Sequence, residues 1–227
     1  MVYGFCSKYS YEDYRREVSR QGTTLSQETI ADWQSYCREV CMADLDRRFT
    51  DQGRIGGETS YVQVDEAKIG KRKHHVGRIV DGSWIFGMID MFTGDLRIEI
   101  LQDNKRDEQT LKQAIEKHIK PGTTIISDQW LGYINLSRPD HNNPNATWYN
   151  HMTVNHSQNF VDPDTSANTQ LIESTWRSIK KQICRGGVHK DALGDHLCEY
   201  LWLRRCSRQN LDPFNEFIQA IVRLHPL

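Results

Sequence analysis

The stretch from Tyr61 to His75 (YVQVDEAKIGKRKHH) constrains this chain more than any other. Its first residues alternate as in a β-strand, which would place Gln63 and Asp65 on one face and Glu66 on the other. A carboxylate within a strand is out of place unless the function needs it, because burial of its charge is costly. Basic residues follow with no acid before Asp81: Lys68, Lys71, Arg72, Lys73, His74 and His75. This pattern suggests a metal site beside a polyanion.

Charge, cysteine spacing and hydropathy limit the functions that this chain can have. The 227 residues carry a net charge of −1, which argues against nucleic-acid binding through bulk charge alone. The charge is uneven, however, because residues 67–80 contain five Lys or Arg and no acid. No CxxC pair, secretory signal or apolar run of about 20 residues is present, so we expect an intracellular protein with reduced thiols and no membrane contact.

Two domains are predicted. Residues 1–57 indicate helices interrupted at Gly22, the outline of a small all-α, helix-turn-helix-like segment, or else a plain helical hairpin that packs on the next domain. Residues 58–227 form the second domain, which ends in C-terminal helices. Its pattern is α/β: three antiparallel strands, a helix from Asp107 to Ile119, then alternating strands and helices. The predicted order of elements is that of an RNase H-like mixed sheet flanked by helices.

Three acids have positions that favour phosphodiester chemistry. Asp65 lies on the first strand, Asp128 ends the strand 123–127, and Glu173 lies near the start of the helix 169–183. Such chemistry uses two divalent cations, and carboxylates are the hard oxygen ligands that Mg²⁺ takes. Glu66 points to the opposite face and is a weaker candidate.

Several other side chains are candidates for DNA contacts. Arg177 and Lys180 follow Glu173 at helical spacing and could hold phosphates, or form ordinary exposed ion pairs. His156 could touch the metal shell or be a structural histidine. Trp130 and Trp176 could stack on flipped bases, although their positions beside apolar residues are more typical of a core. The best phosphate contacts are the basic residues of the first stretch: Lys68, Lys71, Arg72 and Lys73.

Several blocks of the sequence resemble one family in order: VQVDEAKIGKRK, WIFGMID, PGTTIISDQWLGY, HMTVNHSQNFVDPDTSANTQLIESTWRSIKK and LCEYLWLRRC. They resemble the ISXO-two-like insertion-sequence transposases and their eukaryotic Merlin relatives, over residues 60 to 206. The resemblance implies an RNase H-like fold and a DDE triad matched by Asp65, Asp128 and Glu173. It also implies cut-and-paste transposition in a two-metal site containing Mg²⁺ or Mn²⁺.

The implied partners are double-stranded DNA, as transposon ends and target, and further copies of the chain in a homo-oligomer. The implied location is the nucleus of a eukaryote or the cytoplasm and nucleoid of a bacterium. Two alternatives stay open: a domesticated DNA-binding protein that keeps the fold as a scaffold, and another RNase H-like nuclease such as a junction resolvase.

Overall fold

The chain forms two compact units, one made of Met1–Asp51 with Asp191–Leu227 and the other of Gln52–Lys190. The structure, a computed structural model, describes residues 1–20, 22, 24–70, 82–128, 148–154, 162, 167–183 and 190–226.

Within the described part of the unit Gln52–Lys190, five strands form one sheet: β1 (Tyr61–Ile69), β2 (Ser83–Asp90), β3 (Leu96–Ile100), β4 (Thr124–Asp128) and β5 (Asn150–Val154). Their spatial order is β3-β2-β1-β4-β5. β2 is antiparallel to both β1 and β3, whereas β4 is parallel to both β1 and β5. An antiparallel meander extended by parallel strands beside β1 is the RNase H-like arrangement, so the predicted fold class is confirmed.

Helices cover both faces of the sheet. Helix α4 (Glu108–His118) begins after Asp107, whose side chain accepts a hydrogen bond from the Thr110 backbone N–H, and it packs on the face that carries Val62 and Val64. Helix α5 (Gln170–Ile183) packs on the other face, against β1 and β2. The central strand β2 is therefore buried on both sides, as its nearly continuous apolar sequence predicts.

The other unit is helical in its described residues: α1 (Val2–Cys6), α2 (Tyr11–Ser19), α3 (Gln27–Gln52), α6 (Leu193–Arg208) and α7 (Pro213–Leu224). A capping box of Ser10 with Asp13 starts α2, and Asp212 caps α7 ahead of Pro213 at its first turn. The helix-turn-helix character of the N-terminal segment stays a prediction.

A buried ionic network joins α3, α6 and α7. Asp44 is fully buried, and its carboxylate accepts hydrogen bonds from Arg48 (2.7 Å), from the indole of Trp202 (3.1 Å) and from Arg223 (3.1 Å). Glu216 accepts from the same Arg48 and Arg223, both at 2.7 Å. Two acids thus share guanidinium partners from different helices, which makes each charge dependent on the others.

The predicted elements agree with the structure in most places. The five-residue α1 was not predicted, and the predicted short helix from Trp130 to Leu136 lies outside the described residues. The structure groups the C-terminal helices with the N-terminal ones in one compact unit, whereas the predicted boundary at residue 57 assigns them to the sheet domain; the division into domains stays a prediction.

The described cysteines are free, as expected. No described helix has the length and apolar character that crossing a bilayer requires.

Candidate catalytic carboxylate site

Two of the predicted acids lie on neighbouring parallel strands, Asp65 in the middle of β1 and Asp128 at the carboxyl end of β4. β1 and β4 pair in a register that places Gln63 opposite Ile126. The same register, continued by two residues, brings Asp65 level with Asp128. Residues at one level of parallel strands point to the same face, so both carboxylates project from the face that α5 covers. Ligands collect at this end of the strands in open α/β sheets.

Gln63 fixes the start of α5 on β1. Its side chain is fully buried, and its Oε1 accepts a hydrogen bond from the backbone N–H of Ile172 at 3.0 Å. Its Nε2 donates to Oδ1 of Asn168 at 3.2 Å. Because the first N–H groups of a helix have no acceptor within the helix, the Gln63 amide acts as a cap supplied by the sheet. The next residue of the helix is Glu173, whose Oε1 accepts from the Thr169 hydroxyl at 2.8 Å.

Trp176 joins the same helix to the first acid. Its indole Nε1 donates to Oδ2 of Asp65 at 2.9 Å, and its side chain is only 5% exposed. The second oxygen, Oδ1, accepts from the backbone N–H of Glu66 at 2.8 Å. Trp176 is therefore a core residue in contact with the acid, and is not placed to stack on a flipped base. The sequence left both of these interpretations open.

An open cleft of about 550 Å³ borders the third acid. Glu173 and Arg177 line it, together with Gln63 of β1 and Met91, which follows β2. Arg177 and Lys180 are both exposed on α5. The cleft therefore carries a carboxylate and a guanidinium on one helix face.

The model of the ISXO2-like transposase domain matches residues 52–202, about two thirds of the chain. The chain belongs to the ISXO2-like transposase family. This is the family that the sequence resemblance indicated, and the match spans all three predicted acids.

Solved structures give weaker similarities to this ISXO2-like chain. A chain of the simian T-cell lymphotropic virus intasome in complex with PP2A regulatory subunit B56 gamma is 14% identical, with a TM-score of 0.39; the alignment covers 65% of this chain and 49% of that chain, about half its length. The HTLV-2 integrase catalytic core domain in complex with magnesium is 17% identical (TM-score 0.33, covering 74% and 85%). The BIV integrase catalytic core domain is 10% identical (TM-score 0.36, covering 74% and 99%). No curated protein matches the chain significantly. The fold assignment follows from the strand order and does not depend on these similarities.

The electrostatics of the ISXO2-like site centre on Asp65. Burial raises the pKa of the Asp65 carboxyl to about 6. The hydrogen bonds from Trp176 and from the Glu66 backbone oppose the rise, while the charges of Asp128 and Glu173 add to it. Asp128 and Glu173 therefore act on Asp65 through their charges.

The donor atoms fit a hard divalent cation, because all three predicted ligands are carboxylates. Among the described residues, no three His, Cys, Asp or Glu side chains lie close enough together to form a complete metal-binding group. Asp65, Asp128 and Glu173 thus interact at longer range than ligands that share one ion. Their mutual repulsion is the electrostatic cost that a bound cation would offset.

Of the basic residues predicted in the first stretch, Lys68 lies within the described part of the chain. Lys68 lies on the opposite face of β1 from Asp65, with its ammonium 5.8 Å from the centre of the Trp84 ring. The guanidinium of Arg106 lies over the same ring at 3.9 Å. The remaining candidates of the first stretch and the candidate for the metal shell lie outside the described residues: Lys71, Arg72, Lys73 and His156.

The sequence analysis did not identify Gln63 or Gly87 as site residues, and it did not predict the contact between Trp176 and Asp65. Gly87 leaves the space that the Trp176 ring occupies. A signal existed for Gly87, because a glycine within the apolar run of a strand marks a bulge or a close approach of another group. Gln63 shares a strand face with Asp65, and a fully buried amide there requires partners that only the folded helix provides.

A pH-dependent difference in stability is expected for Asp65→Asn without metal. Between pH 4 and 6 folded wild-type protein holds a proton on Asp65 that the unfolded chain releases, so stability falls as pH rises through this window. The asparagine variant lacks this loss, so its stability relative to wild type should rise by about 1–2 kcal/mol between pH 4 and pH 7.5. Urea unfolding in EDTA at both pH values measures the difference in the free energy of unfolding between the two proteins. Parallel pH curves for the two proteins would contradict the raised pKa.

Proposed function

We propose that this chain is a metal-dependent DDE transposase that cleaves DNA at transposon ends and joins the freed ends to target DNA. The observation that carries the proposal is the Asp65 carboxyl, whose pKa is raised chiefly by burial and further by the charges of Asp128 and Glu173, in a chain of a transposase family. Water first frees a 3′-hydroxyl, and that hydroxyl then attacks the target phosphodiester.

Each acid has a role that its position supports. Asp65 in the middle of β1 and Asp128 at the end of β4 would hold the cations, and Glu173 would contribute from α5. Two bound Mg²⁺ or Mn²⁺ ions would activate the attacking oxygen and stabilise the leaving one. Because Asp65 is buried and the charges of Asp128 and Glu173 act on it, it is ionised at neutral pH only at an electrostatic cost, and this favours exchange of its proton for a cation.

The exposed cations of α5 are suited to the DNA backbone. Arg177 and Lys180 lie on the outer face of the helix that carries Glu173, so phosphates they bind would lie beside the acids. Lys68, Lys71, Arg72 and Lys73 are proposed as a second group of phosphate contacts. Because transposon ends come in pairs, we propose that the chain acts as a homo-oligomer. We also propose that it acts in the compartment that holds the host DNA, which is the nucleus of a eukaryote or the cytoplasm and nucleoid of a bacterium.

The test is strand cleavage and joining by the full chain on duplexes that carry the sequences flanking its gene. Activity is expected with Mg²⁺ or Mn²⁺ and none with EDTA, because the carboxylates alone cannot activate the attacking oxygen. Products must include 3′ ends joined to target DNA.

Two other outcomes of this test would each indicate a different function. Cleavage of four-way junctions without joining would indicate another RNase H-like nuclease. DNA binding with neither metal binding nor cleavage would indicate a domesticated DNA-binding protein. Either result would overturn the proposal.

A further inference from the structure

Both oxygens of Asp65 are held by N–H groups. Oδ2 accepts from the indole of Trp176 at 2.9 Å, and Oδ1 accepts from the backbone of Glu66 at 2.8 Å. Each carboxylate oxygen has two lone pairs, so one on each remains for a further ligand. The two donors fix the plane of the carboxylate before any ligand arrives. Of these two donors, only the indole belongs to a side chain and can be changed without altering the backbone.

The indole can reach Asp65 only because residue 87 has no side chain. Gly87 pairs with Asp65 across β1 and β2, and the Trp176 ring lies directly over it. A Cβ at position 87 would lie 2.4 Å from Cη2 of Trp176, 2.7 Å from its Cζ2 and 2.9 Å from Cδ1 of Ile172. Two of these are atoms of a buried, rigid ring, so an alanine would push the ring, and with it α5, away from the sheet.

The helix is fixed at a second point. Gln63, two residues before Asp65 on the same strand face, binds the backbone N–H of Ile172 at 3.0 Å. Glu173 lies between this contact and Trp176 along α5. One rigid helix therefore presents the third acid and, one turn later, the donor that orients the first acid.

We propose that Trp176 is a positioning residue for Asp65, with Gly87 providing its space, so that α5 sets the orientation of the first acid as well as supplying Glu173. The inference rests on the proposed function, because it assigns Asp65 to the cation site. Trp176 touches neither DNA nor cation. It acts by holding the Asp65 carboxylate in one orientation.

The first test removes the indole N–H and measures cation binding directly. Trp176→Phe is expected to weaken Mn²⁺ binding about 10-fold or more in calorimetric titration, the range typical of residues that orient metal ligands. Trp148→Phe is the matched control, since Trp148 is half exposed in the same unit, and its Mn²⁺ affinity should equal that of wild type. Replacing Trp176 by 3-benzothienylalanine, which keeps the shape and lacks the N–H, should weaken binding as Trp176→Phe does, even if the phenylalanine variant folds poorly. An affinity equal to or tighter than wild type in the benzothienyl variant would overturn the proposal.

The second test separates positioning from packing. Gly87→Ala is expected to lower both the melting temperature and Mn²⁺ affinity, because the added methyl group displaces the ring. In the double variant Gly87→Ala with Trp176→Phe, the smaller ring makes room for the methyl group, so the melting temperature should recover while the affinity stays low. Recovery of both quantities would show that Trp176 acts through packing alone.

Different results would contradict the cation site of the proposed function and the positioning role of Trp176. If Asp65→Asn leaves Mn²⁺ affinity unchanged, the assignment of the cation site is wrong, and the positioning role falls with it. If Asp65→Asn abolishes binding while the benzothienyl variant binds normally, only the positioning role is wrong. An indole ¹⁵N–¹H resonance, assigned by its loss in Trp176→Phe, should shift when Mg²⁺ is added to wild-type protein.

Discussion

Asp65→Asn is expected to lower the rates of strand cleavage and strand joining by roughly 10³-fold or more, as removal of a group that acts in the transition state does in other enzymes. The amide keeps the shape of the side chain and loses the charge that cations require. Asp128→Asn and Glu173→Gln should give losses of the same order, because the three acids serve one site and their effects are not additive. A gel assay on end-labelled duplexes with Mg²⁺ measures both steps.

Glu66→Gln provides a matched control for these variants. Glu66 is adjacent to Asp65 in the sequence and lies on the opposite face of β1, so removing its charge should change cleavage little. Wild-type activity in all three acid variants would show that the triad is wrongly assigned. A loss in Glu66→Gln as large as that in Asp65→Asn would move the site to the other face of the sheet.

Asp44→Ala is expected to destabilise the helical unit by about 3–5 kcal/mol, the usual effect of removing one member of a buried ionic group. Burial raises the pKa of Asp44, but the hydrogen bonds from Arg48 and Trp202 and the charges of Arg48 and Arg223 outweigh it, so the net pKa is lowered. Alanine would leave the Trp202 indole without its acceptor, and it would leave Arg48 and Arg223 with Glu216 alone. Urea unfolding at pH 7 measures the loss in the free energy of unfolding.

Asp51→Ala is the control for this substitution. Asp51 pairs with Arg47 one helical turn apart, at 3.2 Å, on the exposed surface of α3. Exposed pairs of this kind contribute a few tenths of a kcal/mol, so the variant should unfold like wild type. Equal losses for Asp44→Ala and Asp51→Ala would contradict the structural importance of the buried network.

The fold could be predicted from local patterns in the sequence. The alternation after Tyr61, the continuous apolar run of β2 and the helical spacing after Asp107 each depend on neighbouring residues, and each gave an element close to the observed one. Asp65 could be chosen as a candidate because a charge within a strand is locally anomalous. The α1 helix was missed because five residues are too few for a periodic signal.

The contacts that assemble the site could not be predicted in this way. Trp176 reaches Asp65 across 111 residues of sequence, and Gln63 reaches Ile172 across 109. Periodicity shows which face a residue occupies, but it does not show which helix will cover that face. The same limit applies to Asp44, whose partners Trp202 and Arg223 come from distant helices. The roles of Asp65, Asp128 and Glu173 as cation ligands stay a prediction until cation binding is measured.

The long separation between Trp176 and Asp65 has a consequence for protein synthesis. Synthesis passes Asp65 and Asp128 before it reaches α5, which begins at Gln170. Until that helix docks, the chain has neither Glu173 nor the donor that orients Asp65. An unfinished polypeptide that ends before α5 therefore carries two of the three predicted acids and lacks the third.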